Sequence, residues 1–148
     1  MEKRKEIPLS YSFHEIYKMF HNCVKNEADM LGINPTYRFI FLALSNKEEG
    51  MTQSEICEIV HLKAPSISLT LQQMESEKLI SRCKSKVDSR QTIVKLTSKG
   101  KELDIKLKEV FKKWEEKMEN ALTNEEINSL KETLVKLKNV LNGGEANV

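Results

Sequence analysis

Apolar residues recur at helical spacing at both ends of the chain, and at strand spacing in one short stretch past its middle. Phe13, Ile16, Phe20 and Val24 follow one another at 3, 4 and 4 positions, the stripe of an amphipathic helix. Ser12-Phe13-His14-Glu15 at its head has the form of a capping box, in which a hydroxyl caps the first turn and a carboxylate reaches back. This helix is expected to end near Gly32. Asn34-Pro35 opens the next one, with Asn at the N-cap and Pro at the first position. Tyr37 to Leu44 is apolar nearly all round, which makes that helix central.

Glu48-Glu49-Gly50 breaks the chain, and Thr52-Gln53-Ser54-Glu55 is a second capping box heading a short helix through Ile56, Ile59 and Val60. After a turn at His61-Leu62-Lys63, a helix is predicted over 64–77, with Pro65 tolerated in its first turn. Ile67, Leu71 and Met74 lie within about 60° of one another on its wheel and face the core. The other face carries Pro65, Ser66, Ser68, Leu69, Gln72, Gln73 and Ser76, almost without charge. Ile80 to Arg82 is extended, Lys84 to Arg90 turn-like, and Gln91 to Leu96 β-branched, so a hairpin with a basic tip spans about 82–96.

Helical period returns at Thr97. Leu103, Leu107, Val110, Trp114 and Met118 recur at 4, 3, 4 and 4. Thr123-Asn124-Glu125-Glu126 is a third capping box, and Ile127, Leu130, Leu134, Leu137 and Leu141 recur at 3, 4, 3 and 4, an a/d seam. From Asn142 the tail is expected to fray. The fold class is therefore mainly α with a small β-hairpin: a winged helix-turn-helix lobe at 35–98, flanked by an N-terminal dimerisation helix at 1–34 and C-terminal dimerisation helices at 99–148. The terminal stripes are too long to bury on a lobe of that size, and an exposed leucine seam needs a partner helix.

Composition narrows the picture by exclusion. The 148 residues are one domain's worth, and 39% hydrophobic with 31% charged residues is too apolar for general disorder. The longest apolar run, Phe39 to Leu44, is far below the roughly 18 residues of a membrane span. No apolar region follows Met1 to Glu6, so no signal peptide is visible and a cytoplasmic protein is expected. Net charge is only +2, but residues 82–101 carry seven cations against Asp88, a local +6 that leaves −4 for the rest. Such a patch is an electrostatic footprint.

Cys23, Cys57 and Cys83 are widely spaced without a CxxC pair, which fits neither a disulfide framework nor a zinc site and points to reduced thiols. His14 and His21 are seven apart, not the i, i+4 of a metal pair, and no metal or other cofactor is expected. His61 sits near a helix C-terminus, where a cation is favourable. With no GxSxG, HExxH, P-loop or GxGxxG, no enzyme is expected.

In a winged helix-turn-helix the second helix enters the major groove of duplex DNA. Short hydroxyls approach base edges there, Gln72 can pair with adenine, and Leu69 and the Pro65 ring can touch thymine methyls. Lys84, Lys86 and Arg90 suit phosphates and a narrow minor groove, and Asp88 is placed to hold the Arg90 guanidinium extended. The residues expected to face DNA are Lys63, Pro65, Ser66, Ser68, Leu69, Gln72, Gln73, Arg82, Lys84, Lys86, Asp88 and Arg90.

Five stretches, Thr52-Gln53-Ser54-Glu55-Ile56, Pro65-Ser66-Ile67-Ser68, Leu79-Ile80-Ser81-Arg82, Asp88-Ser89-Arg90 and Leu96-Thr97-Ser98-Lys99-Gly100, resemble the multiple-antibiotic-resistance regulator (MarR) family of bacterial transcription factors. The resemblance implies a homodimeric repressor of palindromic operators, and two-fold symmetry then predicts half-sites about 10 base pairs apart. It makes Arg90 the wing arginine, Asp88 its orienter, and Ser66 and Ser68 recognition-helix contacts. It also implies a small-molecule effector, aromatic in character, in a crevice lined by Phe13, Tyr17, Tyr37, Arg38 and Phe41. Cys23 falls where some members carry a peroxide-sensing thiol. Two positions depart from the family pattern: Lys63 replaces the usual capping Ser or Asp, and Lys78 replaces a Gly. Two other functions fit the same pattern, a thiol-based redox regulator on this scaffold and a helical protein-binding adaptor without DNA binding.

Overall fold

The computed structural model describes residues 6–60 and 62–143; His61 and the tail beyond Gly143, both subjects of expectations above, lie outside them. Six helices are described, α1 (Leu9–Met30), α2 (Arg38–Leu44), α3 (Gln53–Val60), α4 (Ala64–Ser76), α5 (Ser98–Glu119) and α6 (Asn124–Leu141), with three strands, β1 (Met51–Thr52), β2 (Ile80–Lys84) and β3 (Thr92–Leu96). The strands form one antiparallel sheet in the order β1-β3-β2, with Ile80 opposite Leu96, Lys84 opposite Thr92, and Met51 opposite Val94. The molecule is thus mainly helical with a β wing, as the hydrophobic periods predict.

Local chemistry explains most boundaries. At α3 the Thr52 N–H donates to Glu55 Oε2 (2.8 Å) and the Glu55 N–H to Thr52 Oγ1 (3.2 Å), and at α6 Thr123 and Glu126 make the same reciprocal pair, so two of the three predicted capping boxes form. The third does not. Helix α1 starts at Leu9 with Pro8 at its N-cap, and the Ser12 N–H already donates to the Pro8 carbonyl (3.2 Å). Proline's fixed φ and missing N–H suit a helix start, which leaves Ser12-Phe13-His14-Glu15 inside the helix. The chain between α1 and α2 turns through a 3-10 segment, Pro35–Tyr37, capped by Asn34 Oδ1 on the Thr36 N–H (3.0 Å). Strand β1 was not expected, because two residues are too few to display a period of two.

Compactness divides the chain into residues 1–111 and 112–148. In the first unit, Tyr37, Ile40, Phe41 and Leu44 pack with Ile56, Ile67, Leu71, Met74, Leu79, Val94 and Leu107 into one core. Asp104 is the buried charged residue there; its carboxylate accepts from Ser45 Oγ (2.9 Å) and from Lys108 Nζ (2.8 Å). In the second unit α6 has no buried residue, and of its seam Leu130 and Leu141 are exposed.

Helices α1 and α4 end in the same way. The Ile33 N–H donates to the Ala28 carbonyl and the Leu79 N–H to the Met74 carbonyl, while Gly32 and Lys78 pair with Asp29 and Glu75. That is the Schellman arrangement, with its apolar contact across the turn supplied at α4 by the buried pair Met74 and Leu79. The left-handed residue is Gly32 (φ 68°) in one case and Lys78 (φ 61°) in the other. A lysine there strains against its own Cβ by about 1 kcal/mol. Lys78→Gly is therefore expected to stabilise the fold by about that much, read as a melting temperature a few degrees higher; an unchanged or lower value would count against the left-handed turn.

Candidate nucleic-acid interface

Helix α4 presents two faces of different chemistry. Ile67, Leu71 and Met74 are fully buried, whereas Pro65, Ser66, Leu69, Gln72 and Gln73 are exposed and Ser68 half-buried. Leu69, 68% exposed, stands out of a polar face that has no structural need of it. Lys63 occupies the N-cap with extended backbone (φ −67°, ψ 140°) and no side-chain capping bond. The first-turn N–H groups thus lack the hydroxyl or carboxylate acceptor that Ser or Asp would supply, and the residue in its place is an exposed lysine.

The C-terminal end of α4 is anchored by side chains to which the sequence alone assigned no such role. Glu77 Oε1 accepts from the Tyr37 hydroxyl (2.7 Å), and the Glu77 carbonyl accepts from Lys99 Nζ (3.0 Å). Burial raises the Tyr37 phenol above its ordinary pKa, with the hydrogen bond to the Glu77 carboxylate and its charge adding to the effect, so Tyr37 stays a neutral donor at physiological pH. Thr97 Oγ1 donates to the Lys78 carbonyl (2.7 Å) and accepts from the Gly100 N–H (3.0 Å), and the Thr97 N–H donates to the Leu79 carbonyl (3.0 Å). The Leu-Thr-Ser-Lys-Gly stretch is thus a fastening between the start of α5 and the end of α4.

The wing turn is ordered by its own side chains. Ser85 Oγ accepts from the Val87 and Asp88 N–H groups (3.2 and 3.3 Å), while the Ser85 N–H donates to the Gln91 carbonyl and the Gln91 N–H to the Asp88 carbonyl (3.0 Å each). Asp88 Oδ1 accepts from both the backbone N–H and Nε of Arg90, at 3.0 and 3.3 Å. Asp88 therefore braces Arg90 as the two-residue spacing suggested, and the Arg90 side chain is 90% exposed. Lys84 and Lys86 are exposed around it.

Arg82 does not join this cationic surface. Strand alternation from the buried Ile80 turns its side chain to the inner face, where Nε lies 3.0 Å from Glu75 Oε2 on α4. Its Nε and Nη2 are buried and make no well-aligned hydrogen bond.

The five residues expected to line an effector crevice are not brought together. Tyr37 and Phe41 are fully buried core, packed edge-to-face at 6.2 Å, because the apolar stretch holding them is the centre of the lobe. The Arg38 guanidinium lies 3.8 Å from the centre of the Phe111 ring, while Phe13 and Tyr17 are exposed on α1. A cavity of about 370 Å³ does open beside the end of α1, but His21, Lys25, Asp29, Asn34, Thr36 and Glu77 are among its walls and none of the five is. Cys23 and Cys57 are half-buried and Cys83 exposed, all three as free thiols. Among the described residues no His, Cys, Asp or Glu cluster could hold a metal, and no helix is long and apolar enough to cross a membrane.

Residues 31–91 match the model of the MarR family. An uncharacterized HTH-type transcriptional regulator of Bacillus subtilis, YdgJ, is 28% identical over 142 residues, covering 96% of this chain and 84% of that protein. Among solved structures, Staphylococcus aureus MepR in complex with DNA superposes with a TM-score of 0.83 at 24% identity, over 91% of this chain and 99% of MepR. MepR described as a transcription regulator of the S. aureus multidrug efflux pump MepA gives 0.67 at 23% identity, with the same coverage.

Proposed function

Because residues 31–91 match the model of the MarR family, we propose that the chain is a transcriptional regulator of that family, a cytoplasmic, homodimeric repressor that grips a palindromic operator with two copies of α4 and two wings. The observation that carries this is the pairing of an uncharged, outward-facing α4 with an Arg90 held out of a basic hairpin by Asp88. Base-edge readout needs short polar groups on a helix, and minor-groove shape readout needs an exposed arginine. Two supporting features come from similar proteins: MepR is solved on DNA, and the B. subtilis relative is of the HTH type. Pro65, Ser66, Ser68, Leu69, Gln72 and Gln73 read bases in this proposal, and Lys63, Lys84 and Lys86 meet phosphates.

The second copy is argued from unsatisfied apolar surface. Leu130 and Leu141 on α6, and separately Leu9, Phe13, Ile16 and Tyr17 on α1, stand exposed on helices that a second subunit would cover. The proposal includes release from DNA by a small molecule, for which a ligand must favour one arrangement of the lobes over another. Selection of bound duplexes from a random pool tests the whole reading. The expected product is an inverted repeat with centres about 10 base pairs apart, bound by a species of twice the chain mass and lost steeply as salt rises. A single-chain mass, or no enriched sequence, would overturn it.

A further inference from the structure

The wing and α4 are separate elements, so a protein that reads DNA with both must fix the angle between them. Glu75 is the single acidic residue in Ala64–Ser76, and it sits in the last turn of the helix. Opposite it, Arg82 stands at the root of the wing on β2, with Nε 3.0 Å from Glu75 Oε2 and a side chain only 24% exposed, against 90% for Arg90. Buried Nε and Nη2 atoms without a well-aligned acceptor make a guanidinium that has left water for the sake of one carboxylate. Removing Glu75 leaves the Arg82 guanidinium poorly solvated, whereas the Glu75 carboxylate, 46% exposed, keeps its water when Arg82 is removed.

We propose that Arg82 and Glu75 form a positioning pair that sets the angle of the wing against the recognition helix and cancels the one negative charge that helix carries, so that Arg82 governs operator affinity without touching a phosphate. The pair rests on the DNA-binding reading above and adds to it a residue whose role is opposite to that of its neighbours Lys84 and Lys86. It makes a double claim about Glu75. With Arg82 present the carboxylate helps binding by holding the wing. With Arg82 absent it opposes binding, as an uncompensated negative charge brought towards a polyanion.

Arg82→Gln, Glu75→Gln, the double variant and Lys84→Gln should be titrated against the selected operator at several salt concentrations. Arg82→Gln is expected to weaken binding about tenfold, and Glu75→Gln severalfold. Glu75→Gln introduced into Arg82→Gln should instead strengthen binding, a change of sign that a merely destabilised fold would not produce. The slope of affinity against salt should stay at the wild-type value for Arg82→Gln and fall by about one unit for Lys84→Gln. Arg82→Lys, which keeps the charge, serves as the comparison if the glutamine variant does not fold, and it should bind more tightly than Arg82→Met. A salt slope lowered by Arg82→Gln as much as by Lys84→Gln would make Arg82 a phosphate contact and overturn the pair, as would effects of the two substitutions that simply add. If the wild-type protein binds no duplex, all variants behave alike and the functional reading falls first, taking the pair with it.

Discussion

Gly100→Ala is expected to lower the melting temperature by on the order of 10 °C. Intrinsic preference alone gives the opposite sign, because Gly100 lies in the first turns of α5 and alanine favours a helix over glycine by about 1 kcal/mol. Space decides instead. A Cβ at position 100 would lie 2.0 Å from the Leu79 carbonyl oxygen and 3.0 Å from its carbonyl carbon. Both are backbone atoms, and neither can rotate away. The same Leu79 carbonyl accepts from the Thr97 N–H, so the chains are already drawn together by the bond that an added methyl would have to stretch. Overpacking a tight contact costs about 1–3 kcal/mol, and more where backbone must shift. The net loss is therefore put at about 3 kcal/mol. Gly32→Ala is the control: nothing lies within 4 Å of that Cβ, and only its left-handed φ of 68° opposes the change, so the loss there should be nearer 1 kcal/mol. Equal melting temperatures for the two variants would remove the close approach at Gly100.

That contrast shows what could be read from the chain alone. Helical periods placed α1, α4, α5 and α6, because each buries or exposes one stripe. The Ile67, Leu71 and Met74 face of α4 follows from angles on a wheel, and the Asp88–Arg90 brace from a spacing of two residues within one turn. Contacts across the fold left no such trace. Arg82 counts as one more cation in a basic segment until β2 turns it towards Glu75, seven residues earlier on α4. The family resemblance implies Tyr37 and Phe41 as pocket aromatics, yet an element apolar nearly all round is the lobe's centre. Gly100 and Thr97 resemble a family signature without a stated cause, and the cause is a carbonyl of Leu79 that only the folded chain brings near. The one partial signal for these tertiary roles was the departure at Lys78, where a left-handed turn retained without its glycine implies that its neighbours hold it.

Arg90→Ala is expected to weaken operator binding by about 1–3 kcal/mol while leaving the melting temperature in place. Stability is spared because the wing turn does not depend on this side chain. Asp88 Oδ1 keeps the Arg90 backbone N–H, Ser85 Oγ keeps the Val87 and Asp88 N–H groups, and Gln91 keeps Ser85 and the Asp88 carbonyl, all of which an alanine preserves. The side chain itself is 90% exposed, and a surface ion pair of that kind contributes little to folding. Binding suffers because an exposed guanidinium braced by a carboxylate has already lost freedom that a flexible cation would have to give up on DNA. Arg90→Lys separates the two parts of this effect. If Arg90 supplied charge alone, lysine would restore nearly all the affinity; if the planar, Asp88-braced fork enters a narrowed groove, lysine should recover the salt slope but not the preference for the operator's flanking sequence. Asp88→Asn, which keeps an acceptor for the backbone N–H but not the charge beside Nε, should fall between wild type and Arg90→Ala. Fluorescence anisotropy on the selected operator and on a flank-scrambled duplex measures all three, and wild-type affinity in Arg90→Ala would show that the wing tip does not meet DNA.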